Sequence, residues 1–403
     1  MPIEIRQGTL AYRLYVVIPW LLAIGVLVYI PFATKIGWTP GSIGKPLRII
    51  QINQVVAYAV ALVGLDLVIG YSGQLSLGQS AFIGVGAYTT VILVADHHWS
   101  ALATLPVSAA VCFVAGLLVG IPATRVRGVY LAIITLVIAF VFPSIVLRYG
   151  WLTGGTNGKG PLRTEAHMNA PSWLPYGDTG RLAGPLWVYT ILVVVAAVLF
   201  VLARNLVRSR PGRALRAVRD NQPAAVSMGV DVAPYKCLAF GVSAMYGGIA
   251  GSMLMLIRPF ASEVQFGWRL GIFLVVGLVI GGTGTISGAV IGAYVYLFVP
   301  YYMSQWTFDQ SGMPPVLKQI SAPLWDLLRP GGGAADGIVF GLVVILLTFV
   351  LPGGCVDGLR RLRARVVRVV PNPAWLREHR RAHAGEEHKP QLFHPTGLSH
   401  PRD

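Results

Sequence analysis

Long uncharged stretches alternate with short polar segments along most of the chain. A helix needs about 20 apolar residues to cross the hydrocarbon core of a membrane, so each stretch of that length predicts one crossing. Two stretches, residues 49–95 and 270–308, are too long for one crossing, and glycine-rich segments interrupt them at residues 70–79 and 281–288. The pattern predicts an all-α, polytopic integral membrane protein with about ten transmembrane helices. The other predicted crossings are residues 14–34, 99–124, 128–147, 182–203, 237–257 and 337–356.

The basic segments fall on one side of the membrane when the crossings alternate. Arg6 and Arg13 precede the first crossing, and a cytoplasmic N-terminus puts residues 125–127, 204–236 and the tail on that same side. This orientation agrees with the positive-inside rule and predicts that both termini are cytoplasmic. A glycine-rich interruption that forms a re-entrant hairpin, instead of a turn between two crossings, would change this parity.

Two regions are predicted on this basis. Residues 1–352 form the transmembrane domain, and residues 353–403 form a basic cytoplasmic tail. The start of the tail is basic and amphipathic, which is typical of a segment that lies on the inner leaflet. From residue 371 onward, its content of proline, histidine, arginine and glutamate predicts disorder.

Composition supports a membrane protein and argues against nucleic-acid binding. The 403-residue chain is 55% hydrophobic and 12% charged, whereas soluble domains carry about 25% charged residues. Its net charge is +16, and much of that charge lies in residues 204–236 and in the tail, next to predicted crossings. Membrane orientation and anionic lipid explain basic residues in such positions. We therefore expect membrane lipid, and no nucleic acid, as a partner.

No motif in the chain indicates catalysis, a cofactor or a metal ion. Cys112, Cys237 and Cys355 are far apart and have no metal-ligand spacing. The Gly-Lys pair at residues 158–159 is followed by glycine, so the phosphate-binding P-loop is absent. We expect no catalytic, cofactor-binding or metal-binding residues, and a partner subunit must hydrolyse any ATP that drives the protein.

Residues 204–236, the basic loop, form one of the few long polar segments. They include seven lysine and arginine residues against two aspartates. Pro211 suits the first turn of one helix, and Asp220 and Asn221 can cap a second helix that Gly229 would end. The loop is predicted to form two short helices, either as a binding surface for another subunit or as a solvated positive loop without a partner. Three arginines share one face of the first helix: Arg213, Arg216 and Arg219.

The two glycine-rich interruptions resemble each other. The sequence LVIG occurs at residues 67–70 and again at 278–281, an offset of 211 residues, and small polar residues follow each copy. Interrupted apolar segments in corresponding halves of a chain are typical of a transport pathway. The alternative is that the glycines only allow helices to pack closely. The candidate pathway residues are Gln74, Ser76, Gln79, Thr283 and Ser287.

Several motifs are similar to those of one transporter family. They are GYSGQLSLGQSAFIGVGAY at residues 70–88, RVRGVYLAIITL at 125–136, WLTGGTNG at 151–158, GRALRAVRDNQPAAVSMGV at 212–230 and GGTGTISGAVIGA at 281–293. Together they resemble the M-type permease of the branched-chain amino-acid ABC importers, and the resemblance covers residues 49–352.

This resemblance implies a bacterial inner-membrane permease that forms half of a translocation pathway. The implied partners are a second permease subunit, two ATP-binding cassette subunits and an extracytoplasmic substrate-binding protein. Branched-chain or related small amino acids are the implied substrates. Other permeases of this type serve urea, short amides or small carboxylates, so the resemblance does not decide among these substrates. The basic loop would couple to the ATPase, with these candidate residues: Arg213, Arg216, Arg219, Asp220, Asn221 and Gly229.

Two polar residues depart from the usual pattern of that family. Asp66 stands where an asparagine is common, and Gln79 stands where a histidine or a similar polar residue is usual. An acid inside a membrane segment is costly and is therefore a functional candidate, but Asp66 is equally compatible with a half-solvated position at a helix end. The competing class is an ion-coupled secondary transporter or channel. That class needs several intramembrane charges, and Asp66 is nearly alone.

Overall fold

The computed structural model describes residues 3–6, 46–126, 128–160, 183–308, 341, 353–358 and 367–370. They belong to two compact units, Tyr29–Leu359 and a second unit made of Met1–Val28 with Arg360–Asp403. The predicted crossing at residues 14–34, most of the one at 337–356 and the tail from residue 371 lie outside the described residues. The count of ten crossings therefore stays a prediction.

Helices dominate the larger unit. Among its described residues, seven helices are long and apolar enough to cross a membrane, which confirms an all-helical, multi-pass membrane protein. Each of the two interrupted stretches forms two helices, as the sequence predicts. The α-helices of six or more residues are α1 (Pro46–Asp66), α2 (Gln79–His97), α3 (Thr104–Arg125), α4 (Val129–Arg148), α5 (Ala183–Arg208), α6 (Arg210–Asp220), α7 (Gln222–Ser227), α8 (Val232–Ile257), α9 (Trp268–Gly281) and α10 (Ile286–Phe308).

The first interruption begins with a π-helical turn that extends α1. This turn covers Leu67–Tyr71, and residues 73–78, which follow it, have no regular secondary structure. The hydroxyl of Ser72 donates a 2.7 Å hydrogen bond to the carbonyl oxygen of Val68. The backbone N–H of Gln74 donates a second bond, of 3.0 Å, to the same oxygen. The polar residues of the motif thus satisfy a carbonyl group at the end of the helix.

The second interruption is a short turn between α9 and α10. Gly282 and Gly284 have φ angles of +111° and +76°, which glycine adopts without a steric cost. The two helices then lie close together, because a Cβ atom on Gly281 would be 2.0 Å from the carbonyl oxygen of Gly288. The two copies of the LVIG repeat therefore differ in structure, since one forms a π turn and the other ends an α-helix.

Helix α8 occupies the centre of the described bundle. In its most apolar 18-residue window 83% of the residues are buried, against 28% in the peripheral helix α3. Small residues let α8 approach α2 closely: a Cβ atom on Gly251 would lie 2.0 Å from the carbonyl oxygen of Ile83. Close backbone contact of this kind is typical of helix packing in membranes, where dispersion forces and hydrogen bonds hold helices together.

A cluster of hydroxyl groups joins α2, α3 and α8 inside the apolar core. Thr90 donates a 2.8 Å bond to Ser252, and Ser252 lies 2.7 Å from the hydroxyl of Ser108. Thr104 donates to Thr90 at 3.2 Å. Buried polar groups are costly unless they are paired, and these four side chains pair with one another. The cluster therefore stabilises the contact between the three helices.

The smaller unit contains a two-stranded parallel sheet. Strand β1 (Ile3–Arg6) pairs with strand β2 (Val367–Val370), and Ile3 is opposite Val367. Strand β2 lies at the end of the segment that was predicted to be amphipathic.

Candidate functional site

The basic loop folds as the two short helices α6 and α7. Helix α6 has a proline in its first turn, and its apolar side chains Leu215 and Val218 are buried. The side-chain oxygen of Asn221 accepts a 3.1 Å bond from the backbone N–H of Ala224 and caps α7. Asp220 does not cap α7, because it is the last residue of α6.

A glycine with left-handed backbone geometry follows α7. Gly229 has a φ angle of +82°, and its N–H donates a 2.9 Å bond to the carbonyl oxygen of Val226. The space around its Cα is open. The apolar side chains of Val226 and Met228 project from this turn and are 54% and 86% exposed.

Arginine side chains attach α6 to the bundle. Arg213 donates a 2.9 Å bond to the carbonyl oxygen of Arg208, and Arg216 donates a 2.8 Å bond to that of Val207. These are among the last carbonyl groups of α5, which lack partners within the helix. Arg219 reaches further and donates to the carbonyl oxygen of Gly70 in the π turn. The three arginines on this face therefore bind backbone groups of the same chain.

Both glycine-rich interruptions lie next to the basic loop. The side chain of Arg219 packs against Gly73, where a Cβ atom would be 3.0 Å from its Cγ. In the second interruption, the backbone N–H of Gly284 donates a 2.6 Å bond to the carboxylate of Asp66. Asp66 is only 1% exposed. The end of α1, the turn between α9 and α10, and the basic loop thus meet at one end of the bundle.

A cavity of about 220 Å³ separates the basic loop from the bundle at this end. Sequence patterns did not identify Lys236 as one of its residues, although this lysine is just 5% exposed. The sequence offered one sign of its role: this lysine directly precedes the predicted crossing at residues 237–257. The cavity is lined by Ser72, Gly73, Gln74, Val126, Gly128, Leu131, Val218, Arg219, Gln222 and Lys236.

The five candidate pathway residues lie in different environments. Gln74 lines the cavity. Ser76, two residues later, is buried but does not line the cavity. Gln79 is 1% exposed and is bonded within the helix bundle. Thr283 and Ser287 are exposed on the surface of this chain. The structure of this single chain therefore does not bring the five residues together around one cavity.

Gln79 connects three helices through its amide group. Its nitrogen donates bonds of 3.2 Å to the carbonyl oxygens of Ala61 in α1 and Ser243 in α8. Its oxygen accepts a 3.1 Å bond from the hydroxyl of Ser243. The amide of Gln79 is therefore occupied by helix packing.

The opposite end of the bundle contains an ion pair. Nζ of Lys159 lies 2.6 Å from the carboxylate of Asp96, and it also donates to the carbonyl oxygen of Leu152. The backbone of Lys159 exchanges two hydrogen bonds with that of Ala261. Helix α2 runs from the first interruption to this ion pair, so the two ends are about 25 Å apart at 1.5 Å per helical residue.

The described residues include no group of three or more histidine, cysteine, aspartate or glutamate side chains that could hold a metal ion. Cys112, Cys237 and Cys355 are free thiols.

Comparison with known proteins identifies the family. A family model described as "Branched-chain amino acid transport system / permease component" matches residues 48–349. The high-affinity branched-chain amino acid transport system permease protein LivM of Escherichia coli is 31% identical over 308 residues, 70% of this chain and 71% of LivM. The ribose import permease protein RbsC of Escherichia coli is 26% identical over 305 residues, 72% of this chain and 88% of RbsC. No solved structure matches the chain.

A LivH permease is a more distant relative. The high-affinity branched-chain amino acid transport system permease protein LivH of Salmonella typhimurium is 22% identical over 259 residues, 59% of this chain and 79% of LivH. The relatives are transport permease subunits and not enzymes. Because the family model covers most of the sequence and the LivM relative shares 31% identity, the chain belongs to the family of permease components of branched-chain amino acid transport systems.

Proposed function

We propose that the chain is a permease subunit of an ABC importer and forms half of the translocation pathway for branched-chain or related small amino acids. It would lie in the bacterial inner membrane with both termini in the cytoplasm. Its partners would be a second permease subunit, two ATP-binding cassette subunits and an extracytoplasmic substrate-binding protein. The observation that carries this proposal is the basic loop, which presents two short helices in a chain without a P-loop.

The ATPase would bind α7 and the turn that follows it. Val226 and Met228 expose apolar surface there, next to the charged face of α6. Exposed apolar side chains with a polar rim are typical of sites that bind another protein. The bonds from Arg213 and Arg216 to the end of α5 make α6 a firm support for this surface.

Movement of the basic loop would reach the bundle through Arg219. Its bond to Gly70 joins α6 to the end of α1, and the bond between Asp66 and Gly284 joins that end to the second interruption. A displacement of α6 would therefore act on both glycine-rich interruptions. This chain of contacts is our proposed route from ATP hydrolysis in the partner to the transport pathway.

The candidate pathway residues carry unequal support. Gln74 faces a cavity, which fits a polar position on the pathway. Thr283 and Ser287 are exposed on this chain, so their role requires that a second permease subunit cover them. Gln79 is bonded to α1 and α8, which supports a packing role.

Branched-chain amino acids are the first candidate substrates because LivM is more similar to this chain than RbsC is, at 31% against 26% identity. A pentose is the second candidate, since the similarity to the ribose permease RbsC covers 88% of that protein. Uptake of radiolabelled leucine and ribose by cells with and without the gene would separate the two. Uptake that persists after ATP depletion would favour an ion-coupled transporter instead.

Purification of the full-length, tagged chain from its native membrane tests the proposed coupling. An ATPase subunit should co-purify with the unchanged chain. Met228→Asp should release it, because a charge would replace an apolar contact at a position that is 86% exposed. Val264→Asp is the matched control, since Val264 is 79% exposed near the other end of the bundle. Retention of the ATPase by Met228→Asp would contradict the proposed binding surface.

A further inference from the structure

The cavity between the basic loop and the bundle has a positively charged lining. Arg219 and Lys236 contribute to its walls, and no acidic side chain does so among the described residues. Lys236 is buried, and its Nζ donates a 3.4 Å bond to the side-chain oxygen of Gln222, another residue that lines the cavity. A concave surface of one charge, with walls of low dielectric, attracts small ions of the opposite charge.

Gln74 adds a hydrogen-bond acceptor to this end of the bundle. The hydroxyl of Ser72 donates to Val68, so its oxygen accepts the 2.8 Å bond from the amide nitrogen of Gln74. This arrangement fixes the orientation of the amide. The side-chain oxygen of Gln74 is buried and has no hydrogen-bond partner in the structure. A buried oxygen of this kind is stabilised by an N–H or O–H donor.

The size of the cavity limits the ligand. Its volume is about 220 Å³, and an engineered protein cavity of about 150 Å³ is large enough to bind benzene. A molecule of a few more heavy atoms than benzene therefore fits. The acyl chains of a phospholipid would have to stay outside.

We propose that this cavity binds a small carboxylate with a neighbouring amine, that is, an α-amino acid. The carboxylate would lie at Arg219 and Lys236, and the amine would donate to Gln74. The anionic character of the ligand follows from these residues alone. The further step, that the ligand is the same amino acid as the imported solute, rests on the proposed function. Because the cavity joins the basic loop to residues 72–74 and to the start of α4, an amino acid bound there ties the loop to the bundle.

Cysteine labelling measures this binding directly. The reporter is Val126→Cys, at a residue that lines the cavity, in a full-length chain whose three native cysteines are replaced by alanine. The purified chain is placed in phosphatidylcholine nanodiscs. L-Leucine should slow the reaction of this cysteine with a maleimide, whereas L-leucinamide, which lacks the carboxylate, should not. Labelling of Ser227→Cys, an exposed position outside the cavity, should be unaffected by leucine.

Charge variants identify the groups that hold the carboxylate. Lys236→Gln should raise the leucine concentration needed for protection by about tenfold or more, because a charge-assisted bond is lost. Lys236→Arg should retain protection. Arg204→Gln is the matched control, since Arg204 is an exposed cation on α5 and does not line the cavity. If Lys236→Gln does not elute as a monodisperse protein, Gln74→Leu takes its place and should weaken protection several-fold.

Three results would overturn the proposal. The first is the absence of protection by leucine, and the second is protection that Lys236→Gln leaves unchanged. The third is protection by inorganic phosphate or by phosphatidylglycerol nanodiscs but not by leucine, which would assign the cavity to a phosphate group. The assay contains no ATPase and measures no transport, so failure of the importer assignment would leave protection intact. Loss of protection in a chain that still imports leucine would refute the cavity site alone.

Discussion

The carboxylate of Asp66 accepts a 2.6 Å hydrogen bond from the backbone N–H of Gly284, which lies 218 positions later in the chain. One side chain therefore joins the end of α1 to the turn between α9 and α10. Asp66 is 1% exposed, so its position is buried and not half-solvated. The bond gives this intramembrane acid a structural role, because it satisfies a backbone donor that the turn leaves outside a helix.

Replacement of Asp66 separates the role of its oxygen atom from that of its charge. Asp66→Leu should lower the free energy of unfolding by about 1–3 kcal/mol, because the half-buried N–H of Gly284 would lose its acceptor. Asp66→Asn keeps an oxygen at the same place and should unfold close to the wild-type temperature. Thermal unfolding of the purified chain in detergent measures both effects. Loss of transport in Asp66→Asn at an unchanged unfolding temperature would show that the charge itself is needed.

Arg219 should be required for coupling and not for assembly. Arg219→Gln removes the bond to Gly70 but leaves α7 and its exposed apolar residues in place. A charge-assisted hydrogen bond contributes about 1.5–3 kcal/mol, so we expect transport to fall by about tenfold or more. The ATPase should still co-purify with the variant.

Arg204→Gln is the control for this experiment, because Arg204 is an exposed cation on α5 near the same end of the bundle. It should transport at the wild-type rate. Equal loss of transport in the two variants would indicate a general effect of positive charge. Loss of the ATPase from Arg219→Gln would place Arg219 in the binding surface itself.

Local signals in the sequence were sufficient for the helices of the basic loop. A proline, an asparagine cap and a glycine define their ends, and each acts within a few residues of its position. The spacing of Arg213, Arg216 and Arg219 also predicted a shared face. It did not predict that these side chains would bind backbone carbonyl groups, because those partners depend on how α6 packs against α5 and the π turn.

The polar residues near the glycine-rich interruptions were harder to interpret from sequence. A glutamine in an apolar stretch has the same pattern whether it lines a pathway or joins helices. Gln74 and Gln79 are five residues apart, yet one lines a cavity and the other binds α1 and α8. Only the packing of segments distant in sequence decides whether a glutamine lines a cavity or joins helices. Local periodicity carries no information about that packing.

Gln79 should therefore matter for stability more than for transport. Gln79→Leu would remove the acceptor of the buried hydroxyl of Ser243. A buried donor without a partner costs about 1–3 kcal/mol, so the unfolding temperature should fall clearly. Gln74→Leu is the comparison, since it should reduce transport several-fold with a smaller change in unfolding temperature. Unchanged stability with a large loss of transport in Gln79→Leu would return Gln79 to the pathway.

The effect of replacing Gly229 should depend on whether the new residue tolerates left-handed backbone geometry and not on the size of its side chain. The φ angle is +82° and the surrounding space is open, so a larger side chain meets no neighbour. Gly229→Val forces a β-branched residue into a left-handed conformation and should cost about 1–2 kcal/mol. The end of α7 should then loosen, and less ATPase should co-purify.

Gly229→Asn is the matched control, because asparagine tolerates left-handed geometry better than other residues with a side chain. It should retain most of the ATPase. If valine and asparagine have the same effect, the sensitivity comes from contact with the partner and not from backbone strain.

The two ends of the bundle should lie on opposite sides of the membrane. Asn157 is exposed near the ion pair of Lys159 and Asp96, and Ser227 is exposed in the basic loop. Helix α2 separates these ends by about 25 Å, close to the hydrocarbon thickness of about 30 Å. In a chain without native cysteines, Asn157→Cys should react with an impermeant maleimide in intact spheroplasts. Ser227→Cys should react only after the membrane is permeabilised.

This labelling also tests the count of crossings that precede the described helices. In the prediction, two crossings precede α2, so the first residue of α2 lies on the cytoplasmic side. Asn157 follows α4, two crossings after α2, and therefore lies outside. Reversed labelling, with Ser227→Cys accessible in intact cells, would mean that an odd number of crossings precedes α2 and that the basic loop cannot meet a cytoplasmic ATPase. Reaction of both cysteines from one side would mean that α2 and its neighbours do not span the membrane. An importer whose ATPase binds α7 requires Asn157 on the outer side of the membrane and Ser227 on the cytoplasmic side.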